Sequence, residues 1–100
     1  MTKHRTILVT GSSSGFGRLI SETLARRGHT VFASMRDMHG RNAAAAAALA
    51  RFTADGGGRI HPIEIDVASD ESVERGVAAV LAATGGALDV VVNNAAIGTL

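Results

Sequence analysis

The chain has 100 residues, a net charge of +1 and no cysteine. Its length allows one domain with a modest core, and its interspersed charges provide neither a basic face for nucleic acid nor an acidic tail. The lack of cysteine excludes disulfides and thiolate metal sites. No apolar run approaches the length of a membrane span or of a signal-peptide core. The composition therefore predicts a soluble cytoplasmic protein without nucleic-acid or membrane partners.

The first predicted strand, Thr6–Val9, runs directly into a turn rich in glycine and serine, residues 10–17. A first helix is predicted over residues 15–27. The unpaired amides and the dipole at a helix start attract phosphate, and glycines let a diphosphate approach the backbone. A flexible linker is the alternative, but linkers are not expected between a strand and an amphipathic helix. An ATP or GTP phosphate loop is excluded because no Gly-Lys-Ser/Thr follows the turn, so a dinucleotide is the expected ligand.

The first helix carries apolar residues four positions apart. Phe16, Ile20 and Leu24 are predicted to form its inward face. Gly28 follows the helix and is predicted to be its C-terminal cap. The second strand is then predicted over Thr30–Met35.

The second helix, residues 42–53, is rich in alanine and therefore strongly helix-prone. Leu49 and Phe52 are predicted to anchor it to the core. The third strand is predicted over residues 60–65. Pro62 within it lacks a backbone donor, which favours the outer edge of a sheet.

A third helix is predicted to begin after Ser69, its N-cap, and to place its apolar residues on one face. These residues are Val73, Val77, Val80 and Leu81. The fourth strand, residues 88–93, is apolar at successive positions and is therefore predicted to be buried on both faces.

Strands alternate with helices along the whole chain, which favours a parallel sheet with right-handed crossovers. We expect an α/β fold of the doubly wound Rossmann type, with strand order 3-2-1-4 and a switch point between strands 1 and 4. Helices 1 and 2 are expected on one face of the sheet and helix 3 on the other. Ligands of such sheets bind at the carboxyl ends of the strands, beside the switch point.

The residues at these strand ends match three motifs of one enzyme family. The motifs are Thr-Gly-x-x-x-Gly-x-Gly, Asp-Val and Asn-Asn-Ala-Gly, matched by Thr10, Gly11, Gly15 and Gly17, by Asp66 and Val67, and by Asn93, Asn94 and Ala95. Ala96 replaces the last glycine. The whole chain thus resembles the amino-terminal part of a short-chain dehydrogenase/reductase, and residues 1–100 are expected to form the NADP-binding part of a single Rossmann domain.

Each residue of the glycine turn has a role under this resemblance. Gly11 permits the tight turn, Gly15 admits the diphosphate and Gly17 lets the helix pack close to the sheet. The other candidates are hydrogen-bond donors to phosphate or ribose oxygens, namely the amide of Phe16 and the hydroxyls of Ser12, Ser13 and Ser14.

The resemblance also assigns the ends of strands 3 and 4. It implies that Asp66 accepts a hydrogen bond from the adenine amino group and that the Val67 amide donates to a ring nitrogen. Asn93 and Ala95 would line the floor near a ribose, and Asn93 would also steady the central strand. From the residues alone, Asp66 could instead cap its loop and Asn93 the end of its strand.

The end of strand 2 bears on the choice between NADP and NAD. By the family's spacing, the NAD-selecting carboxylate would fall at Met35, which is neutral, and Arg36 follows it. A guanidinium suits bidentate contact with a 2′-phosphate, so NADP is expected. Ser14 stands where many NADP-using members carry a basic residue, so Arg36 is expected to act largely alone. The alternatives are that Asp37 accepts from a ribose hydroxyl and selects NAD, or that Arg36 and Asp37 have no role.

The resemblance implies an oxidoreductase that transfers hydride between the nicotinamide and a small or lipid-like alcohol or ketone. The family's catalytic Tyr-x-x-x-Lys pair has no counterpart, since the chain has no tyrosine and its one lysine is Lys3. We therefore assign no catalytic residue and expect the catalytic part beyond Leu100. Residues 35–38 and 96–98 faintly resemble steroid and retinol dehydrogenases. A non-catalytic dinucleotide-binding or cofactor-sensing module is the alternative.

The fourth strand has the composition of a central strand but the predicted order leaves it at an edge. We therefore expect the 100-residue chain to expose an apolar face and an unpaired strand edge. This favours the cofactor-binding half of a longer enzyme. Members of the family commonly form dimers or tetramers, so a homo-oligomer is expected for the full-length protein.

Overall fold

The computed structural model describes residues 3–13, 15–52 and 58–94. The elements in these residues are β1 (Thr6–Val9), α1 (Gly15–Arg26), β2 (Thr30–Met35), α2 (Ala43–Ala50), β3 (Arg59–Glu64), α3 (Asp70–Thr84) and β4 (Val90–Val92). The strands form one parallel sheet of order β3-β2-β1-β4. The predicted α/β class and strand order are confirmed.

Strands β1 and β2 form the centre of the sheet, and their predicted bounds are confirmed. Thr6 pairs with Thr30 and Val9 with Ala33, so the two strands run in register to their carboxyl ends. Strand β3 lies one residue earlier than predicted. It is the outermost strand, and Pro62 within it occupies the edge position expected of a residue without a backbone donor.

Two apolar clusters hold the helices against opposite faces of the sheet. The first, on the side of α1 and α2, contains Ile7, Val9, Ala25, Val31, Ala33, Met35, Ala46, Leu49 and Ile60. The second, on the side of α3, contains Leu8, Phe32, Ile65 and Val80. The alternation of side chains along β1 and β2 produces this division, and it confirms the predicted placement of the helices.

The inward face of α1 differs in part from the prediction. Ile20 and Leu24 pack against the first cluster, but Phe16 is 76% exposed and its inward placement was wrong. The buried residues of α1 are all small, namely Gly17, Ser21 and Ala25. Small residues at this four-residue spacing bring the helix axis close to the sheet, and the large Phe16 in the first turn is left outside the contact.

The ends of the helices follow the predicted signals. Gly28 has φ +90°, and its amide donates to the carbonyl of Ala25 at 2.9 Å, so it ends α1 in the left-handed conformation. At the start of α3, Ser69 Oγ accepts from the amide of Ser72 at 3.2 Å, which confirms the N-cap. Leu81 is 39% exposed, so its inward placement was wrong.

Helix α2 is shorter than predicted, since it covers Ala43–Ala50 and ends at a C-cap, Arg51. Phe52 follows the helix and packs against the first cluster beside Leu49, as predicted. The predicted end at Thr53 lies outside the described residues. Among the helices that the structure describes, none combines the length and apolar character of a membrane span.

Strand β4 is shorter and more exposed than predicted. It covers Val90–Val92, and Val91 is 54% exposed, so burial on both faces was wrong for the described chain. Before the strand, Leu88 packs into the second cluster and the Asp89 carboxylate accepts from the Thr6 amide at 2.8 Å. Within the described residues β4 pairs only with β1. This is the exposed apolar edge that the strand order predicted.

Truncation of Leu49 tests the first cluster. Leu49 is fully buried, so Leu49→Ala is expected to lower the free energy of unfolding by about 2–5 kcal/mol. Leu19, 55% exposed on α1, offers a matched control, and Leu19→Ala is expected to cost no more than about 1 kcal/mol. Urea unfolding of both variants provides the measurement. Equal losses would contradict the assignment of Leu49 to the core.

Candidate cofactor-binding groove

A groove of about 650 Å³ opens at the carboxyl ends of β1, β2 and β3. Each strand end contributes residues to its lining. The predicted site residues among them are Gly11 and Ser13 after β1, Arg36 after β2, and Asp66 and Val67 after β3. The parallel sheet thus brings together residues as far apart in sequence as Gly11 and Val67.

The start of α1 lies against the turn that follows β1. A Cβ atom on Gly17 would overlap the carbonyl oxygen of Gly11 and would lie 2.7 Å from Nδ2 of Asn94. The same Asn94 amide donates to the Gly11 carbonyl at 3.2 Å. The helix can therefore approach the turn only because residue 17 has no side chain, and Asn94 ties the end of β4 to this contact.

Gly15 has both the backbone conformation and the free space that a phosphate-binding turn needs. Its φ is +60°, a region that other residues adopt at a cost. Apart from the adjoining residues and the backbone of the same helix turn, no heavy atom of the described residues lies within 4 Å of the position where its Cβ would stand. A ligand can therefore approach the backbone at the start of α1.

The three serines of the turn do not share one role. Ser12 is fully buried, and its hydroxyl donates to the Val9 carbonyl at 2.9 Å. Its predicted role as a hydroxyl donor to phosphate is therefore corrected, because the side chain closes the turn from inside. Ser13 is half-buried and lines the groove. Ser14 lies outside the described residues.

The end of β3 combines a local cap with an open face. One carboxylate oxygen of Asp66 accepts from the amide of Ala68 at 3.0 Å, and the Asp66 amide donates to Ser72 Oγ at 2.8 Å. Asp66 therefore caps its own loop, as the alternative interpretation expected, and it also lines the groove. Val67 beside it is 44% exposed.

Asn93 lies at the end of β4 rather than in the lining of the groove. Its Oδ1 accepts from the hydroxyl of Thr10 at 3.4 Å, a long contact that links the ends of β1 and β4. The Thr10 amide also donates to the carbonyl of Val92 at 3.1 Å. Ala95 lies outside the described residues.

The turn between β2 and α2 adds two lining residues that the sequence pattern did not predict, Arg41 and Asn42. Asn42 stands at the N-cap of α2, but its side chain donates to the Arg36 carbonyl at 2.6 Å. Arg41 follows a turn that begins at Asp37, whose φ is +51°. Only the folded turn brings Arg41 to the same groove as Arg36, and the four residues between them gave no periodic signal of this.

The Asp37 carboxylate is engaged within this turn. Its Oδ2 accepts from the amide of Arg41 at 2.9 Å. Asp37 does not line the groove, whereas Arg36 and Arg41 both do. In the described residues the ion pairs are Arg18–Glu22 and Arg75–Glu71, so neither arginine of the groove is paired with a carboxylate.

Comparison with known proteins agrees with the fold. The family described as short chain dehydrogenase matches residues 5–100. The chain belongs to this family. An uncharacterized oxidoreductase of Myxococcus xanthus is 41% identical over 95 residues, which are 95% of this chain and 35% of that protein. Retinol dehydrogenase 8 of Bos taurus is 36% identical over 97 residues, 94% of this chain and 29% of that protein.

A solved structure gives the same result. L-sorbose reductase from Gluconobacter frateurii, complexed with NADPH and L-sorbose, superposes with a TM-score of 0.76 and 35% sequence identity. The match covers 97% of this chain and 35% of that protein. The chain therefore spans about a third of the length of such relatives.

Substitution of Gly17 tests the contact between α1 and the turn. Gly17→Ala is expected to lower the free energy of unfolding by about 1–3 kcal/mol, because the added methyl overlaps a backbone oxygen. Binding of a dinucleotide is expected to weaken as well, since the turn and the helix start must separate. Chemical unfolding and calorimetric titration with NADP measure the two effects.

Ala78→Ser serves as the control, because it also adds one heavy atom, at an exposed position of α3. It is expected to change the free energy of unfolding by no more than about 0.5 kcal/mol. A Gly17→Ala protein as stable as this control would contradict the close approach of α1.

Proposed function

We propose that the protein is an NADP-dependent oxidoreductase that interconverts an alcohol and a carbonyl compound. Residues 1–100 would form the cofactor-binding part of one Rossmann domain. The observation that carries the proposal is one groove lined by Gly11 and Ser13 of the glycine turn and by two arginines that form no ion pair with a carboxylate of the described residues. The first suits a diphosphate and the second suits a 2′-phosphate.

The start of α1 would hold the diphosphate. Gly15 leaves space beside the backbone, and the amide of Phe16 lies in the first turn of a twelve-residue helix. The helix dipole favours negative charge there. Ser13 and Ser14 would add hydroxyl donors, whereas Ser12 would act from inside the turn.

The other end of the groove would hold the adenosine. Asp66 keeps one carboxylate oxygen that could accept from the adenine amino group, and the exposed Val67 would offer its amide beside it. Asn93 and Ala95 would lie toward the second ribose. This placement of the adenosine, the diphosphate and the second ribose follows the strand order β3-β2-β1-β4.

Arg36 and Arg41 favour NADP over NAD. Two guanidinium groups can each donate forked hydrogen bonds to a phosphate. Asp37, the residue that would favour NAD, has its carboxylate in the turn. The prediction that Arg36 acts largely alone therefore gives way to a proposal with two cations.

The bound cofactor would supply or accept the hydride, and the residues of this chain would bind and orient it. The chain has no tyrosine, and we assign no catalytic residue within it. We infer that the proton-transfer groups follow Leu100 as a Tyr-x-x-x-Lys pair. The substrate would be a small or lipid-like alcohol or ketone, by analogy with the relatives named above, and the enzyme would be a cytoplasmic homo-oligomer.

Charge reversal at Arg36 tests the choice of cofactor. Arg36→Asp is expected to weaken NADP by about tenfold or more, since a charge-assisted hydrogen bond contributes roughly 1.5–3 kcal/mol. NAD, which lacks the 2′-phosphate, is expected to bind as well or better. Calorimetric titration of the intact protein with both cofactors gives the two dissociation constants.

Arg27→Asp is the matched control, because it makes the same charge change at an exposed position outside the groove. It should leave the ratio of the two constants unchanged. Equal affinities of both cofactors for the parent and for Arg36→Asp would remove Arg36 from the site. Oxidation of NADPH by a panel of ketones then tests turnover, and binding without turnover would favour a non-catalytic module.

A further inference from the structure

Glu64, the last residue of β3, contacts the turn that follows the neighbouring strand, β2. It lies opposite Met35 in the strand register. Its Oε2 accepts from the amide of Asp37 at 2.9 Å, and its Oε1 accepts from the amide of Met38 at 2.8 Å. Both oxygens of one carboxylate are therefore used on two successive amides of the turn.

These two amides belong to the point where the chain reverses. Asp37 has φ +51°, a left-handed conformation that costs free energy for a residue with a side chain. Adjacent amides that point the same way form a small anion-binding concavity, and a carboxylate can occupy it. The Glu64 side chain thus stabilises the one unfavourable backbone conformation in the turn.

The turn carries both arginines of the groove. Arg36 stands immediately before Asp37, and Arg41 is tied to the Asp37 carboxylate through its amide. Asn42 closes the turn on the Arg36 carbonyl. The backbone that positions Arg36 and Arg41 is therefore anchored to the sheet through Glu64.

The direction in which NADP affinity changes when the Glu64 carboxylate is removed distinguishes a positioning role from a direct electrostatic effect of its charge. A carboxylate near a phosphate site repels the phosphate, so its removal would by charge alone strengthen NADP binding. If Glu64 acts by holding the turn, its removal must instead weaken NADP, despite the loss of a repelling charge. The two roles predict changes of opposite direction.

We propose that Glu64 is a positioning residue that sets the preference for the phosphorylated cofactor by fixing the turn of Arg36 and Arg41. The proposal rests on the proposed function, because it concerns the 2′-phosphate end of the same groove. NAD binding depends little on the two guanidinium groups. Loss of the Glu64 contacts is therefore expected to lower the affinity for NADP and to leave the affinity for NAD nearly unchanged.

The test compares two variants of Glu64 in the intact protein. Glu64→Gln keeps the size but replaces one acceptor by an NH₂ donor, which faces an amide donor. Glu64→Asp keeps the charge but is one methylene too short to reach. Each is expected to raise the dissociation constant of NADP by about tenfold, with that of NAD within about twofold, on the scale of one lost charge-assisted hydrogen bond.

Glu74→Gln on α3 is the control, because it removes the same charge at an exposed position outside the groove. It should change neither constant. In a protein that already carries Arg36→Asp and Arg41→Asp, Glu64→Gln is expected to add little further loss of NADP affinity, because both groups that it positions are gone.

The proposal is overturned if either Glu64 variant weakens both cofactors equally, or if Glu64→Gln strengthens NADP. The proposed function survives both results, provided that the parent protein prefers NADP. A parent that binds NAD as tightly as NADP would overturn the cofactor choice and this inference with it.

Discussion

The structure depends on how closely the first helix approaches the end of the first strand. Gly17 lies against the carbonyl of Gly11 with no room for a methyl group, and Asn94 donates to the same carbonyl from the end of β4. This contact fixes the start of α1 relative to two neighbouring strands. It also leaves the backbone at Gly15 facing open space, where a diphosphate can meet the helix dipole.

From that fixed point, strand order determines what else the ligand meets. Strand β2 lies beside β1 and β3 beside β2, so the groove runs from the glycine turn past Arg36 to Asp66. Its chemistry changes along this path from amides to cations to a carboxylate. Such an order matches the diphosphate, ribose phosphate and adenine of one extended dinucleotide, which is the basis of the proposal that the groove binds NADP.

The sequence predicted the features that depend on local pattern. Strand bounds at the centre of the sheet, the Ser69 cap and the edge position of Pro62 follow from periodicity and backbone chemistry, and all were confirmed. Contacts that depend on tertiary geometry were missed. The hydrogen bonds of Glu64 depend on both the register of β3 against β2 and a left-handed residue in the turn, and the inward hydroxyl of Ser12 depends on the path of the chain after β1.

In the proposed complex, one dinucleotide lies along this groove with its phosphates at two defined places. A crystal structure of the intact protein with NADP tests this arrangement most directly. We expect the diphosphate at the Phe16 amide and the 2′-phosphate within hydrogen-bonding distance of Arg36 and Arg41. A cofactor bound outside the groove, or a 2′-phosphate in contact with neither arginine, would contradict it.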